Sequence, residues 1–260
     1  MELVLIGIVT LFVSGLTLFS GFGLGTVLMP LFALFFPLPL AIAATAVVHF
    51  LNNLFKLGLM AKEANWQVVL RFGLPAAVAA LLGAITLSLF NDMPIITSYA
   101  IGSSTFEITV VKTVIGTLIV LFSLLELWPR FQALAFPARW LPVGGALSGF
   151  FGGLSGNQGA LRSAFLIKAG LSKEAFVATG VVVAVIVDAV RLAVYGTAAM
   201  ENHLSQSRAV LMPVLIASIC ALLGTWIAKH VLHKITLRTV QLIVAIGMLV
   251  IGVELIFGLI

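Results

Sequence analysis

Six stretches of this chain, residues 41–60, 67–90, 110–127, 172–196, 209–229 and 237–260, are apolar almost throughout. Each is about 18 residues or longer, the length needed to cross roughly 30 Å of hydrocarbon. In lipid an unpaired backbone N–H or C=O costs several kcal/mol, so only helices and closed barrels span it. Barrel strands alternate apolar and polar residues over about ten positions, whereas these runs are continuous. The chain is therefore read as an all-α polytopic membrane protein. Only 9% of its residues are charged, against roughly 25% in soluble domains, too few to cover a folded surface in water.

The formal net charge is +5, yet the positive residues sit singly at the ends of apolar runs. They act as topology determinants and not as a nucleic-acid patch. One cysteine, Cys220, lies inside an apolar run, which leaves no disulfide framework and no thiolate metal site. No metal, cofactor or ATP-binding pattern is present, so neither a cofactor nor pumping by hydrolysis is expected. The opening MELVLIGIVTLFVSG lacks a basic flank and a small-residue cleavage site, and is read as a retained membrane segment.

Two further apolar stretches are broken by glycine: residues 3–36, at SGFGLG (20–25), and residues 141–169, at GGLSGNQG (152–159). Sliding the chain along itself at one fixed, ungapped offset superposes them. Ser14 and Gly15 fall on Ser148 and Gly149, Gly25 on Gly159, and AIAATAVV (41–48) on AFVATGVV (175–182); ALLG recurs at 80–83 and 221–224. We read a single transmembrane domain built from a repeat over 1–128, a connector over 129–140 and a second repeat over 141–260.

Charge bias then decides how the broken stretches cross. If each is a hairpin that leaves on the side it entered, Lys62, Arg130, Arg139, Lys168, Lys173, Lys229, Lys234 and Arg238 share one face. The opposite loops, 37–40, 91–109 and 197–207, then hold no Lys or Arg. One hairpin plus three spans is an odd number of crossings, so the second repeat is inverted relative to the first, the plan of secondary transporters. Residues 141–151 and 160–169 would each reach only about 15 Å, half a bilayer. The first arm, 3–19, is long enough to span, which leaves open whether it is re-entrant.

These residues carry a resemblance. The Gly-rich break followed by proline (SGFGLGTVLMP, 20–30), the A-x-x-A-T helix after it, and the recurrence of both (SGFFGGLSGNQGA, 148–160, then AFVATG) resemble the sulfite exporter TauE/SafE family of bacterial-type membrane permeases. Phe22 and Leu24 interrupt the fuller glycine run often seen in such proteins. The resemblance spans essentially the whole chain, and implies export of sulfite, an organosulfonate or a related sulfur-containing anion across a bacterial inner membrane.

The chemistry for an anion is visible in the residues themselves. A glycine break followed by a half-helix exposes backbone N–H groups and the positive end of a helix dipole. The second break supplies Ser155, Asn157, Gln158 and Gly159, with Arg162 in the next turn to pair with two anionic oxygens. The first offers Ser20, Gly21, Gly23, Gly25 and Thr26, without a basic residue. On the following helix His49, Asn52, Asn53 and Lys56 share one face; on the related helix Asp188, Arg191 and Tyr195 do. Ionisable groups at membrane depth mark a pathway or a paired interior site. Asp188 and Arg191 are either a structural pair or part of the site, His49 either an interhelical hydrogen-bonder or, with Asp188, a proton-coupling group. Lys56, near a helix end, is read as snorkelling.

The expected function is a secondary transporter, not an enzyme, with alternating access around a site between the repeats. Its partners are a small anion and the lipid bilayer; a homodimer is one assembly open to it. A membrane-embedded enzyme and an anion channel or structural subunit are the alternatives.

Overall fold

A two-stranded hairpin interrupts what is otherwise a helical chain, 81% of it in helices. The structure, a computed structural model, describes residues 1–20, 23–91, 93–128, 130, 134–202, 204–231 and 237–260. In chain order the elements are α1 (Glu2–Ser20), α2 (Leu24–Ala33), α3 (Leu38–Met60), α4 (Trp66–Asn91), β1 (Ile95–Ile101), β2 (Ser104–Thr109), α5 (Val110–Leu127), α6 (Leu141–Ser155), α7 (Gly159–Leu166), α8 (Lys173–Asn202), α9 (Leu204–Val231) and α10 (Leu237–Ile256). Among the described residues five segments are long and apolar enough to cross a membrane: Leu38–Glu63, Trp66–Phe90, Val110–Leu127, Lys173–Gly196 and Val210–His230. The sixth expected span is helical as α10, and its apolar part, Ala245–Ile256, is a shorter helix by the same measure.

Backbone chemistry sets the helix ends. Gly23 precedes α2 at φ 112° and Gly156 closes α6 at φ 82°, left-handed conformations that side-chain-bearing residues avoid. Proline sits in the first turn of both α3 and α6, where its missing N–H leaves no helical bond unmade. Past Gly156 the chain doubles back. Phe165 of α7 lies against Gly144 of α6, and Phe136 N–H donates to the Ala164 carbonyl at 3.1 Å, so α7 ends beside the start of α6. Stacking of Phe136 on Phe165, centroids 4.3 Å apart, fixes that end.

Packing between the two halves is reciprocal. α6 runs parallel to α4: Gly145, Gly149 and Gly153 press on the backbones of Phe72, Ala76 and Ala80 in turn, and Gly83 on that of Phe150. α1 runs parallel to α9 in the same manner, with Gly15 on Gly224 and Gly224 on Leu11. The two glycines that end the recurring ALLG motif are therefore among the tightest points of these crossings. Small residues let helix backbones approach closely in lipid, where packing replaces the hydrophobic driving force. Between the halves α3 packs antiparallel on α8 and α5 on α10, the latter through Gly116 and Gly252. Ala64 and Val69 meet Ala178 and Val182 near the α3–α8 end.

Several expectations need correcting. Residues 91–109, read as a loop, contain the β1–β2 hairpin, paired from Ile101↔Ser104 to Ile95↔Thr109. Its alternating β-branched and aromatic residues pair across a two-residue turn, a short-range signal that the lack of Lys and Arg hid. Of residues 197–207, read as a loop, 197–202 and 204–207 are helical: α8 runs through Asn202 and α9 starts at Leu204, because Ala, Met, Glu, Leu and Gln favour helix. The second break is narrower than 152–159. Gly152 and Gly153 stay inside α6, which is 15 residues long and reaches about 22 Å, since Gly153 is needed for contact with Ala80. The first arm is one helix of 19 residues.

The hairpin is held to the bundle by Tyr99, whose hydroxyl donates to the Phe257 carbonyl at 2.6 Å while its ring stacks on Phe106. Tyr99→Phe is expected to cost only about 0.5–1 kcal/mol. Faster amide exchange confined to 95–109 would check this; exchange unchanged there would show the bond to be idle.

Candidate functional site

The first break, the second break and the α3–α8 crossing converge. A side chain placed on Gly25 of α2 would lie 3.5 Å from the His49 ring and 3.7 Å from the Gly156 carbonyl oxygen, and one on Gly156 would meet Arg191 Nη1 at 2.8 Å. Glycine at both positions lets the breaks reach the buried side chains of α3 and α8.

At the centre is a saturated carboxylate. Asp188, fully buried, has Oδ2 2.6 Å from His49 Nδ1 and accepts from Asn53 Nδ2 at 3.4 Å. Its Oδ1 accepts from Arg191 Nε at 3.0 Å, while Arg191 Nη2 lies 2.8 Å away without the alignment of a hydrogen bond. His49 Nδ1, facing a carboxylate, is the nitrogen that carries the proton. Asn53 Nδ2 also lies 3.1 and 3.3 Å from the two ring nitrogens and fixes the ring. Asp188 and Arg191 thus do pair, as their spacing suggested, and the pair is shared with α3.

Around this centre the expected residues divide. Asn52 accepts from Thr225 of α9 at 2.8 Å, and its Nδ2 is buried without a partner among the described residues. Ser155 is spent locally, donating to the Phe151 carbonyl at 3.1 Å and accepting from Asn157 N–H at 3.4 Å. Asn157 and Gln158 are 3% and 2% exposed, and neither side-chain amide has a hydrogen-bond partner among the described residues. Ser148 Oγ holds the Gln158 carbonyl at 3.1 Å and so positions the backbone that carries them. Gly159 opens α7, and Arg162, one turn on, is buried against Gly180 of α8 and within Coulombic reach of Asp188. Thr26 donates to the Gly23 carbonyl at 2.7 Å. Ser20 closes α1, and Gly21 lies outside the described residues.

Three things escaped the sequence reading. Lys56 does not snorkel: it is 4% exposed, its ammonium within Coulombic reach of Arg162. Its place on the His49–Asn52–Asn53 face was the available signal, outweighed by nearness to the helix end. Thr225 carries no signal, because a lone threonine in a span is usually packing. Spacing places Tyr195 on the Asp188–Arg191 face but does not give its partner: it donates to the Gly153 carbonyl, bracing α8 on α6.

Chemically the arrangement is suited to trapping an anion. Of the charged residues that are buried among those described, Lys56, Arg162 and Arg191 stand against Asp188 alone, with His49 beside them. Taking an ion out of water costs several kcal/mol even after relaxation, so this excess calls for an anionic occupant. The orphan amides of Asn157 and Gln158 can each donate two hydrogens and tell an oxyanion from a halide by direction.

Compared with known proteins, residues 3–255 match the family model described as "Sulfite exporter TauE/SafE". No curated protein and no solved structure matches.

Proposed function

Because the chain belongs to the sulfite exporter TauE/SafE family, multi-pass membrane permeases of sulfur-containing anions, we propose that it exports a small anion such as sulfite or an organosulfonate across a bacterial inner membrane as a secondary transporter. The observation that carries this reading is the excess of buried cations beside two unpartnered amides, where the two glycine breaks meet. Arg162, Arg191, Asn157, Gln158 and the backbone of the breaks hold the oxyanion; Asn52 Nδ2 supplies a further donor.

The halves 1–128 and 141–260 are taken as inverted repeats that rock about this site, giving alternating access. Support comes from the reciprocal docking of α1 on α9 and α6 on α4, and from the antiparallel α3–α8 and α5–α10 pairs. The return of α7 along α6 supports a re-entrant second hairpin whose tip is shielded by protein. His49 and Asp188 are the proton-coupling groups: a proton on Asp188 releases Arg191 and the imidazole toward the substrate, and loss of that proton returns them.

Flux of sulfite into proteoliposomes is expected to saturate, with half-saturation weakened about 10- to 100-fold in Arg162→Ala, the worth of one charged hydrogen-bond pair. Flux indistinguishable from wild type would remove Arg162 from the site. A thermal-shift comparison of sulfite, sulfate, thiosulfate, sulfoacetate and taurine with a carboxylate control selects the substrate class. A response to the carboxylate alone would overturn the assignment to sulfur anions.

A further inference from the structure

A cavity of about 330 Å3 opens among α1, α3, α8 and α9, at the end of the bundle where Lys62 also lies. Liquid water occupies about 30 Å3 per molecule, so the space admits a small oxyanion with part of its hydration shell. Its rim carries Glu63 and Glu174 against Lys173 and Lys229, with no ion pair within 4 Å among these four. Two charges of each sign leave the rim selecting neither.

Selection changes one turn further in. Inward of Leu18 on α1 comes Ser14; inward of Leu59 and Met60 on α3 comes Lys56; inward of Lys229 on α9 comes Thr225, bonded to Asn52; inward of Val177 on α8 comes Gly180, against which Arg162 lies. Every wall thus turns from apolar or charge-balanced to polar or cationic over a single helical turn of about 5 Å. Lys56 is buried with no carboxylate within 4 Å among the described residues, and α3 then carries Asn52, Asn53 and His49 toward Asp188.

We propose that this cavity is the vestibule through which the oxyanion passes between the Lys/Arg-rich face and the buried cluster, with Lys56 and Arg162 as its cationic floor. The inference rests on the transport function proposed for the buried cluster and adds to it an approach from the Lys/Arg-rich face and the group that selects charge. Lys56 is here a specificity-determining residue: the floor admits anions and repels cations, and the rim sets only the width.

Thiol labelling tests this without relying on flux. In a Cys220→Ala background, Val177→Cys or Leu59→Cys in sided vesicles is treated with a methanethiosulfonate bearing either a sulfonate or a trimethylammonium group. The sulfonate probe is expected to react about tenfold faster than the cationic one, and only from the Lys/Arg-rich face, since lined clefts raise the local concentration of counter-ions by about that factor or more. Lys56→Gln should bring the ratio toward that of Ser103→Cys in the exposed hairpin turn. Equal labelling from both faces, or a ratio that ignores Lys56→Gln at both test positions, overturns the vestibule. If the ratio behaves as expected while wild-type sulfite flux is absent, the vestibule stands and the transport function falls. Intact flux with no charge preference removes the vestibule and leaves the transport function standing.

Discussion

Asp188→Asn should lower stability by about 3–5 kcal/mol, because removing one partner of a buried ion pair leaves the other charges uncompensated. Arg191 loses the one carboxylate within 4 Å of it among the described residues and His49 its acceptor, while Lys56 and Arg162 remain nearby. The loss should appear as a lower unfolding midpoint in detergent together with abolished response of flux to an imposed proton gradient. Asp188→Leu combined with Arg191→Met removes both charges at similar volume and should recover much of the stability but none of the flux. A wild-type midpoint in Asp188→Asn would mean that the carboxylate is already neutral or solvated, and the charge balance drawn for the site would fail with it.

The second large effect is expected at Gly83 and Gly224. A methyl on either would overlap a backbone carbonyl oxygen of the facing helix, Phe150 for one and Leu11 for the other. Backbone atoms have no rotamer to escape into, so the helices must separate. Gly83→Ala and Gly224→Ala should each cost about 1–3 kcal/mol by overpacking. Gly58 and Gly247 meet nothing among the described residues within 4 Å of the same added atom, and alanine there should stabilise by up to about 1 kcal/mol through helix propensity. The contrast is one of sign and can be read from thermal midpoints of the four variants. Parallel behaviour of all four would show that the crossings tolerate separation.

The helical architecture was legible because lipid leaves so few solutions. Runs such as 67–90 and 110–127 exceed the hydrocarbon thickness and contain no polar periodicity, which fixed α4 and α5 to within a few residues. The recurrence of ALLG was legible as identity, but its meaning lay in contact with α1 and α6, which no local pattern encodes. The hairpin at 95–109 was lost for a different reason. Its lack of Lys and Arg made it resemble a plain connection, although the alternation through Tyr99 and Phe106 was there to be read. At the site, residue types were readable and partnerships were not. Asp188 and Arg191 are neighbours on one helix turn, so their pairing followed from spacing. The bond from His49 to Asp188 joins α3 to α8 across most of the chain and follows only from the way those helices cross. Ser155 shows the converse: a hydroxyl in a glycine-rich break suggested ligand binding, and the backbone claimed it.

The reciprocal docking bears on how the molecule is made. α1 has its principal seat on α9 and α6 has its own on α4, so the earlier-synthesised helix meets its partner only after nearly two hundred further residues have left the ribosome. At roughly 5–20 residues per second that wait is on the order of ten seconds or more. During this time the glycine-lined face of α1 is in the bilayer without its mate, a state in which insertion factors or a premature wrong neighbour would compete for it. Helix α6 faces no such delay, since α4 precedes it, and biogenesis of the two hairpins is therefore unequal even where their final packing matches.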